Sequence, residues 1–166
     1  MPWKKRIFTL VVGSFATVIV LLNMPQRGDG SLWPECEQVL DELAAWMPIN
    51  GEAIFDTRPW TTFGEGPTTL PKSGMNELHH PMTPKDIRFT QSKDGKTVYA
   101  IVCGIPTRPV VIASLTPVAD RIGRVQLLGS GEAIHWKAAR SGVEIQPVAH
   151  WPCRHAVTFK ISIKEP

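Results

Sequence analysis

From residue 85 onward the chain falls into short runs of alternating apolar and polar residues separated by turn residues, a pattern suited to antiparallel sheet and to little else. Ile87 and Phe89 alternate with Arg88 and Thr90, Asp94-Gly95 is a hairpin turn, and residues 97–103 form the returning strand. Residues 110–115 read as a further strand. Val125 and Leu127 lead into Gly129-Ser130-Gly131-Glu132, read as a hairpin turn, with Ile134 and Trp136 beyond it. Ser141-Gly142 turns the chain into Val143-Glu144-Ile145. Last, Val157, Phe159, Ile161 and Ile163 alternate with Thr158, Lys160, Ser162 and Lys164, a strand with one wet face. Strands at this spacing imply a small antiparallel β-sandwich with most aromatic side chains facing inward. The 15 prolines favour short strands and loops over a helical bundle.

One helix precedes the strands. Pro34 suits a first helical position with Ser31 or Trp33 as cap, and Glu35 and Glu37 complement the dipole of the first turn. Cys36, Val39 or Leu40, Leu43 and Trp46-Met47 recur at helical spacing and form one apolar stripe. Pro48 is expected to stop the helix, and Asn50-Gly51 to turn the chain. Residues 61–84 show little periodicity and read as a long loop or linker.

The N-terminus allows two readings. Lys4-Lys5-Arg6 before the apolar run 7–22 has the form of a signal peptide or short membrane anchor, so residues 4–22 are a candidate membrane contact and a secreted, periplasmic or membrane-associated location. The run is short for a spanning helix, and residues 18–22 also read as a buried strand. A formal charge of +3 with scattered Lys and Arg excludes a nucleic-acid surface. Cys36, Cys103 and Cys153 form no CxxC and read as buried free thiols.

Candidate chemistry is sparse. His79-His80 is a pair of metal-ligand type, but adjacent side chains diverge and no carboxylate or thiol sits at ligand spacing. His150, Cys153 and His155 are the densest such cluster, without an evident fourth ligand. Neither is expected to hold a metal, and no nucleophile elbow, P-loop or dinucleotide fingerprint implies a cofactor. Glu52, Asp56 and Glu65 are the residue types of a glycosidase carboxylate pair, but nothing in their spacing sets two of them face to face. Arg27-Gly28-Asp29 spells an adhesion tripeptide and is expected to be only a turn.

The segments "LLNMPQRGDGSL", "AAWMPINGEAIFDTRPW", "GEGP", "DIRFTQSKDGKTVYAIV" and "LLGSGEAIHWK", in this order, resemble the carboxyl-terminal third of family 29 glycoside hydrolases, the α-L-fucosidases. The resemblance covers roughly residues 20–163. It implies a mainly β chain, a C-terminal antiparallel β-sandwich over residues 85–166, preceded by the last β/α unit of a truncated (β/α)8-like barrel. Residues 20–60 would supply that barrel's last strand and helix and the exit turn, and 61–84 the linker. Residues 1–19 do not resemble the barrel and stand as an apolar leader, an anchor or an artefact of truncation. Arg58 and Trp60 would then pack and bond across the two domains. The family's substrate is a fucosylated glycan, hydrolysed with retention at a terminal α-L-fucose.

The family's Asp nucleophile and Glu acid/base lie on earlier barrel strands, and no segment here matches their motifs. No catalytic residue is therefore carried over, and the chain alone is expected to be inactive. Residues 20–60 are expected to pack onto the sandwich or stay loosely ordered, while 85–164 fold independently. A noncatalytic sandwich binding carbohydrate or a partner protein is the other reading, favoured if aromatic side chains stand exposed.

Overall fold

The computed structural model describes residues 5–6, 24–68 and 82–165. Ten strands occur among them: β1 Lys5–Arg6, β2 Met24–Pro25, β3 Thr57–Glu65, β4 Ile87–Ser92, β5 Thr97–Val102, β6 Val110–Ile112, β7 Ile122–Leu127, β8 Trp136–Ala139, β9 Gly142–Ile145 and β10 Val157–Ile163. The helix α1 spans Pro34–Asn50. The strand expected over residues 18–22 lies outside the described residues, as does the whole apolar run 7–22. Among the described residues no helix is long and apolar enough to cross a membrane.

β3-β4-β5-β10-β7 form a five-stranded antiparallel sheet, and β6-β9-β8 a three-stranded one. Period-two alternation sends Ile87 and Phe89, Val98, Ala100 and Val102, and Val157, Phe159 and Ile161 to one face of the larger sheet. They meet Val110, Ile112, Val143 and Ile145 of the smaller sheet in a single core. A mainly β, antiparallel sandwich is thus the observed architecture.

Several local expectations need correction. Thr61–Glu65, read as the start of a linker, belongs to β3, whose antiparallel pairing with β4 makes it an edge of the larger sheet. Its pairing slips between Pro59 and Gly64, so that residues 60–63 bulge opposite Phe89. Residues 113–121 continue from β6 as a 3-10 segment, not as strand. Gly129-Ser130-Gly131 closes no hairpin, because β7 and β8 lie in different sheets; the turn carries the chain between layers. At φ +76° a Cβ on Gly129 would stand 2.5 Å from Ile49 Cγ2, so only glycine lets α1 seat there.

Pro48 does not end α1, which runs on to Asn50 and a 3-10 turn, Gly51–Ala53. Proline removes one N–H bond, and the last turn is held instead by Asn50 Nδ2, which donates to Trp46 O (3.2 Å) and Cys153 Sγ (3.2 Å). Trp46 Nε1 donates to Ala156 O (3.0 Å). The helix therefore touches the sandwich through its carboxyl-terminal end. The outer part of its apolar stripe is uncovered: Val39 is 49% and Leu43 40% exposed. Trp33 caps the helix with backbone alone.

Candidate functional site

Glu65 stands apart from the other two candidate carboxylates, Glu52 and Asp56, which border one cavity. Asp56 immediately precedes β3, whose first residue Thr57 pairs with Ser92, and Glu65 ends it opposite Ile87; Ser92 and Ile87 are five steps apart, roughly 17 Å at strand rise. A glycosidase pair stands about 5–10 Å apart. Each carboxylate also has a structural partner. Asp56, at φ +58°, pairs with Lys93. Glu65 accepts from Ala113 N (2.9 Å), Ser114 N (2.7 Å) and the Ser114 hydroxyl, closing the amino end of the 3-10 segment from the neighbouring sheet.

Glu52 is the most connected of the three. The register puts Thr90, Tyr99 and Lys160 side by side on the outer face of the larger sheet, beneath the Gly51–Ala53 turn. Glu52 Oε1 accepts from the Tyr99 hydroxyl (2.7 Å) and the Lys160 ammonium, and Thr90 Oγ1 donates to Ala53 O (2.7 Å). Burial pulls the Glu52 pKa up, but the bonds from Lys160 and Tyr99 outweigh it and hold the carboxyl below its usual range. Burial, then the bond to Glu52, pushes the Tyr99 phenol well above its ordinary value. An ionised acid and a locked neutral phenol form a clamp between helix end and sheet; neither is tuned for proton transfer near neutral pH.

The metal-type cluster is splayed. His150 Nδ1 faces Glu132 (3.5 Å), His155 Nε2 faces Glu42 of α1 (3.1 Å), and Cys153 accepts from Asn50. Among the described residues no group of three His, Cys, Asp or Glu could hold a metal. His79 and His80 lie outside the described residues. Cys36, Cys103 and Cys153 are free and half-buried, and burial raises the Cys103 thiol. Trp60 is half-buried and packs on Phe89 within the sheet, ring centres 5.0 Å apart. Arg58 is exposed; its backbone stands opposite Gln91 in the β3–β4 ladder, and its guanidinium makes no hydrogen bond or ion pair among the described residues. Arg27-Gly28-Asp29 sits at the tip of a turn closed by the Gln26–Leu32 bridge, with Asp29 Oδ1 accepting from Ser31 N (3.0 Å) and Oγ (2.8 Å).

Sequence reasoning missed the strongest electrostatic centre. Asp86 is fully buried, and its carboxylate accepts from Thr68 N (2.9 Å), Thr68 Oγ1 (2.9 Å), Thr83 N (2.8 Å) and Thr83 Oγ1 (2.7 Å). Burial raises its pKa, but the Thr83 hydroxyl, the Thr68 and Thr83 amides and the Thr68 hydroxyl prevail and hold it at about 2. Gly66, at φ +136°, passes so close that a Cβ would stand 2.5 Å from Asp86 Oδ1. The Thr-x-x-Asp spacing of a reciprocal cap was the readable signal for half of this clasp. Two cavities adjoin these groups. One of about 710 Å³ lies among Pro67, Pro84, Lys85, Pro106 and Arg108. Another of about 380 Å³ is bounded by Glu52, Phe55, Asp56, Lys93, Asp94 and Tyr99.

Antiparallel sheets packed as a sandwich, with Glu52, Asp56 and Glu65 each held by a partner and the end of a helix seated against them, define the class: a β-sandwich domain. The family model described as alpha-L-fucosidase C-terminal domain matches residues 80–162, and the chain belongs to this family. Plasma alpha-L-fucosidase of Pongo abelii is 25% identical over 140 residues, 81% of this chain and 27% of that protein. Tissue alpha-L-fucosidase of Bos taurus is 27% identical over 148 residues, 86% of this chain and 27% of the relative. A solved alpha-L-fucosidase superposes with a TM-score of 0.61 at 25% identity over 86% of this chain and 28% of its own. The Thermotoga maritima alpha-fucosidase shares the fold, with a TM-score of 0.60 at 24% identity over 86% of this chain and 30% of its own. The chain thus spans little more than a quarter of the length of these relatives.

Proposed function

We propose that this chain is the carboxyl-terminal portion of a retaining α-L-fucosidase and carries no catalytic carboxylate of its own. The observation behind this is the coverage: matches take in more than four-fifths of this chain but under a third of each relative. The uncovered apolar face of α1 supports it, since Val39 and Leu43 are the kind of surface that a neighbouring barrel helix or strand would bury. Residues 20–56 then supply the barrel's last strand, helix and exit, 66–84 the connection, and β3 with 85–166 the sandwich, so that the exit runs directly into the larger sheet. The substrate is a glycan ending in α-L-fucose, cleaved by an Asp and a Glu of the barrel.

The test is to sequence the DNA upstream of the Met1 codon and read it in all frames. A barrel-coding stretch, intact or interrupted, with an Asp and a Glu at the family's positions is the expected finding. A promoter directly before Met1 with no barrel-coding stretch would overturn the proposal in favour of a noncatalytic binding module. That second reading has one observation of its own, the exposed Phe55 beside a polar cavity.

A further inference from the structure

The cavity of about 380 Å³ lies between the turn that follows α1 and the hairpin joining β4 to β5. Its floor is Tyr99 and Thr57, both buried, and the Thr57 hydroxyl is occupied by Ile54 O (2.9 Å). Phe55 forms one wall. One edge of its ring lies against Gly51, where a Cβ would come within 3.3 Å of Cδ2 and Cε2, and the ring remains 51% exposed. Asp56, Lys93 and Asp94 make the rim.

Each of the three carboxylates at this cavity has one oxygen engaged and the other without a hydrogen-bond partner among the described residues. Asp56 Oδ1 takes Lys93, Asp94 Oδ1 takes Ser92 Oγ and Lys96 N (3.0 Å), and Glu52 Oε1 takes Tyr99 and Lys160. Each acid thus keeps one carboxylate oxygen available to accept a hydrogen bond. Three carboxylates beside one rim lysine disfavour an anionic ligand. Among the described residues no three ligand-type side chains converge on a metal. What remains is a neutral molecule with hydroxyl donors on its edge and an apolar face to lay on Phe55.

We propose that this cavity binds one pyranose ring of a neutral glycan, with its C–H face on Phe55, its hydroxyls donating to Asp56 and Asp94, and Lys93 donating to a hydroxyl oxygen. The volume lies at the lower end of small-molecule sites, enough for one ring with part of a second. Catalysis is not involved, so the site goes beyond the fucosidase reading and stands or falls separately from it. A lone exposed Phe is common on protein surfaces. Phe63 is an internal comparison: it is 73% exposed, lies 5.4 Å from the Arg88 guanidinium, and lines neither cavity described above.

The experiment is a titration of the isotopically labelled full chain, followed by amide NMR, with methyl α-L-fucopyranoside, methyl β-D-galactopyranoside and methyl β-D-glucopyranoside. At least one glycoside should give saturable shifts confined to residues 51–57 and 92–95, with an affinity of about 1–10 mM. Phe55→Ala should weaken binding at least about tenfold, and Phe63→Ala should leave it unchanged. Both substitutions are at exposed positions, and the spectra themselves report whether each variant is folded. No saturable shift with any of the three up to about 100 mM, shifts centred elsewhere, or undiminished binding by Phe55→Ala would each overturn the proposal.

Discussion

Replacing Asp86 by Asn tests the reasoning about buried charge. The carboxylate is the shared acceptor of four donors, two of them backbone amides, and has no contact with water. A hydrogen bond to a charged group contributes about 1.5–3 kcal/mol, and such bonds within one network do not add. Asn keeps the shape but loses the charge, and its NH2 group turns a donor toward donors. The expected cost is about 3–4 kcal/mol, measured as a shift in the urea midpoint at neutral pH. The pH dependence gives the sharper check. The folded pKa of about 2 lies below the unfolded carboxylate value, so the contribution is fully present above pH ~4 and is lost as pH falls toward 2. The gap between wild type and Asp86→Asn should therefore narrow through that window and nowhere above it. A cost under about 0.5 kcal/mol, or a gap independent of pH down to 2.5, would refute the reasoning.

Three further outcomes follow from the contacts. Gly129→Ala combines a left-handed backbone with a collision against Ile49; it should destabilise the chain by about 1–3 kcal/mol and quench the near-ultraviolet dichroism of Trp46, which sits on the same helix end. Glu65→Ala removes the carboxylate closing residues 113–121, costing about 1–2 kcal/mol and raising hydrogen exchange at Ala113 and Ser114 before other amides. In Tyr99→Phe the Glu52 carboxyl loses a bond that lowers its pKa, so its titration, followed by side-chain carbon NMR, should move upward.

Legibility in the sequence followed the range of the interactions. β4, β5 and β10 were readable because alternation is local, and the turn between β4 and β5 because Gly95 adopts φ +75° in an Asp-Gly pair. The register that places Tyr99 beside Lys160, and both beneath Glu52, was not readable, since it depends on pairings across dozens of residues. For the same reason Thr158, placed on the wet face of the last strand, is buried, and Tyr99 is buried under the turn that follows α1. β3 was half missed because its bulge interrupts the period, and the 3-10 segment was missed because its capping group lies 48 residues upstream. The helix stripe was read correctly as apolar, but Val39 and Leu43 on it stay exposed, and sequence alone carries no mark of that. Glu52 and Asp56 were singled out as acids, but the pairing of each with a lysine, and with Phe55 between them, depends on the folded turn.

The central claim is that the acids of this chain are structural and that fucoside cleavage belongs to a barrel it does not contain. The most direct measurement is turnover of an aryl α-L-fucoside by the purified chain, beside a Glu52→Gln, Asp56→Asn, Glu65→Gln triple variant. The expected result is a rate equal to buffer alone for both proteins. Turnover by the wild-type chain that disappears in the triple variant would contradict the claim and place a working carboxylate pair within these 166 residues.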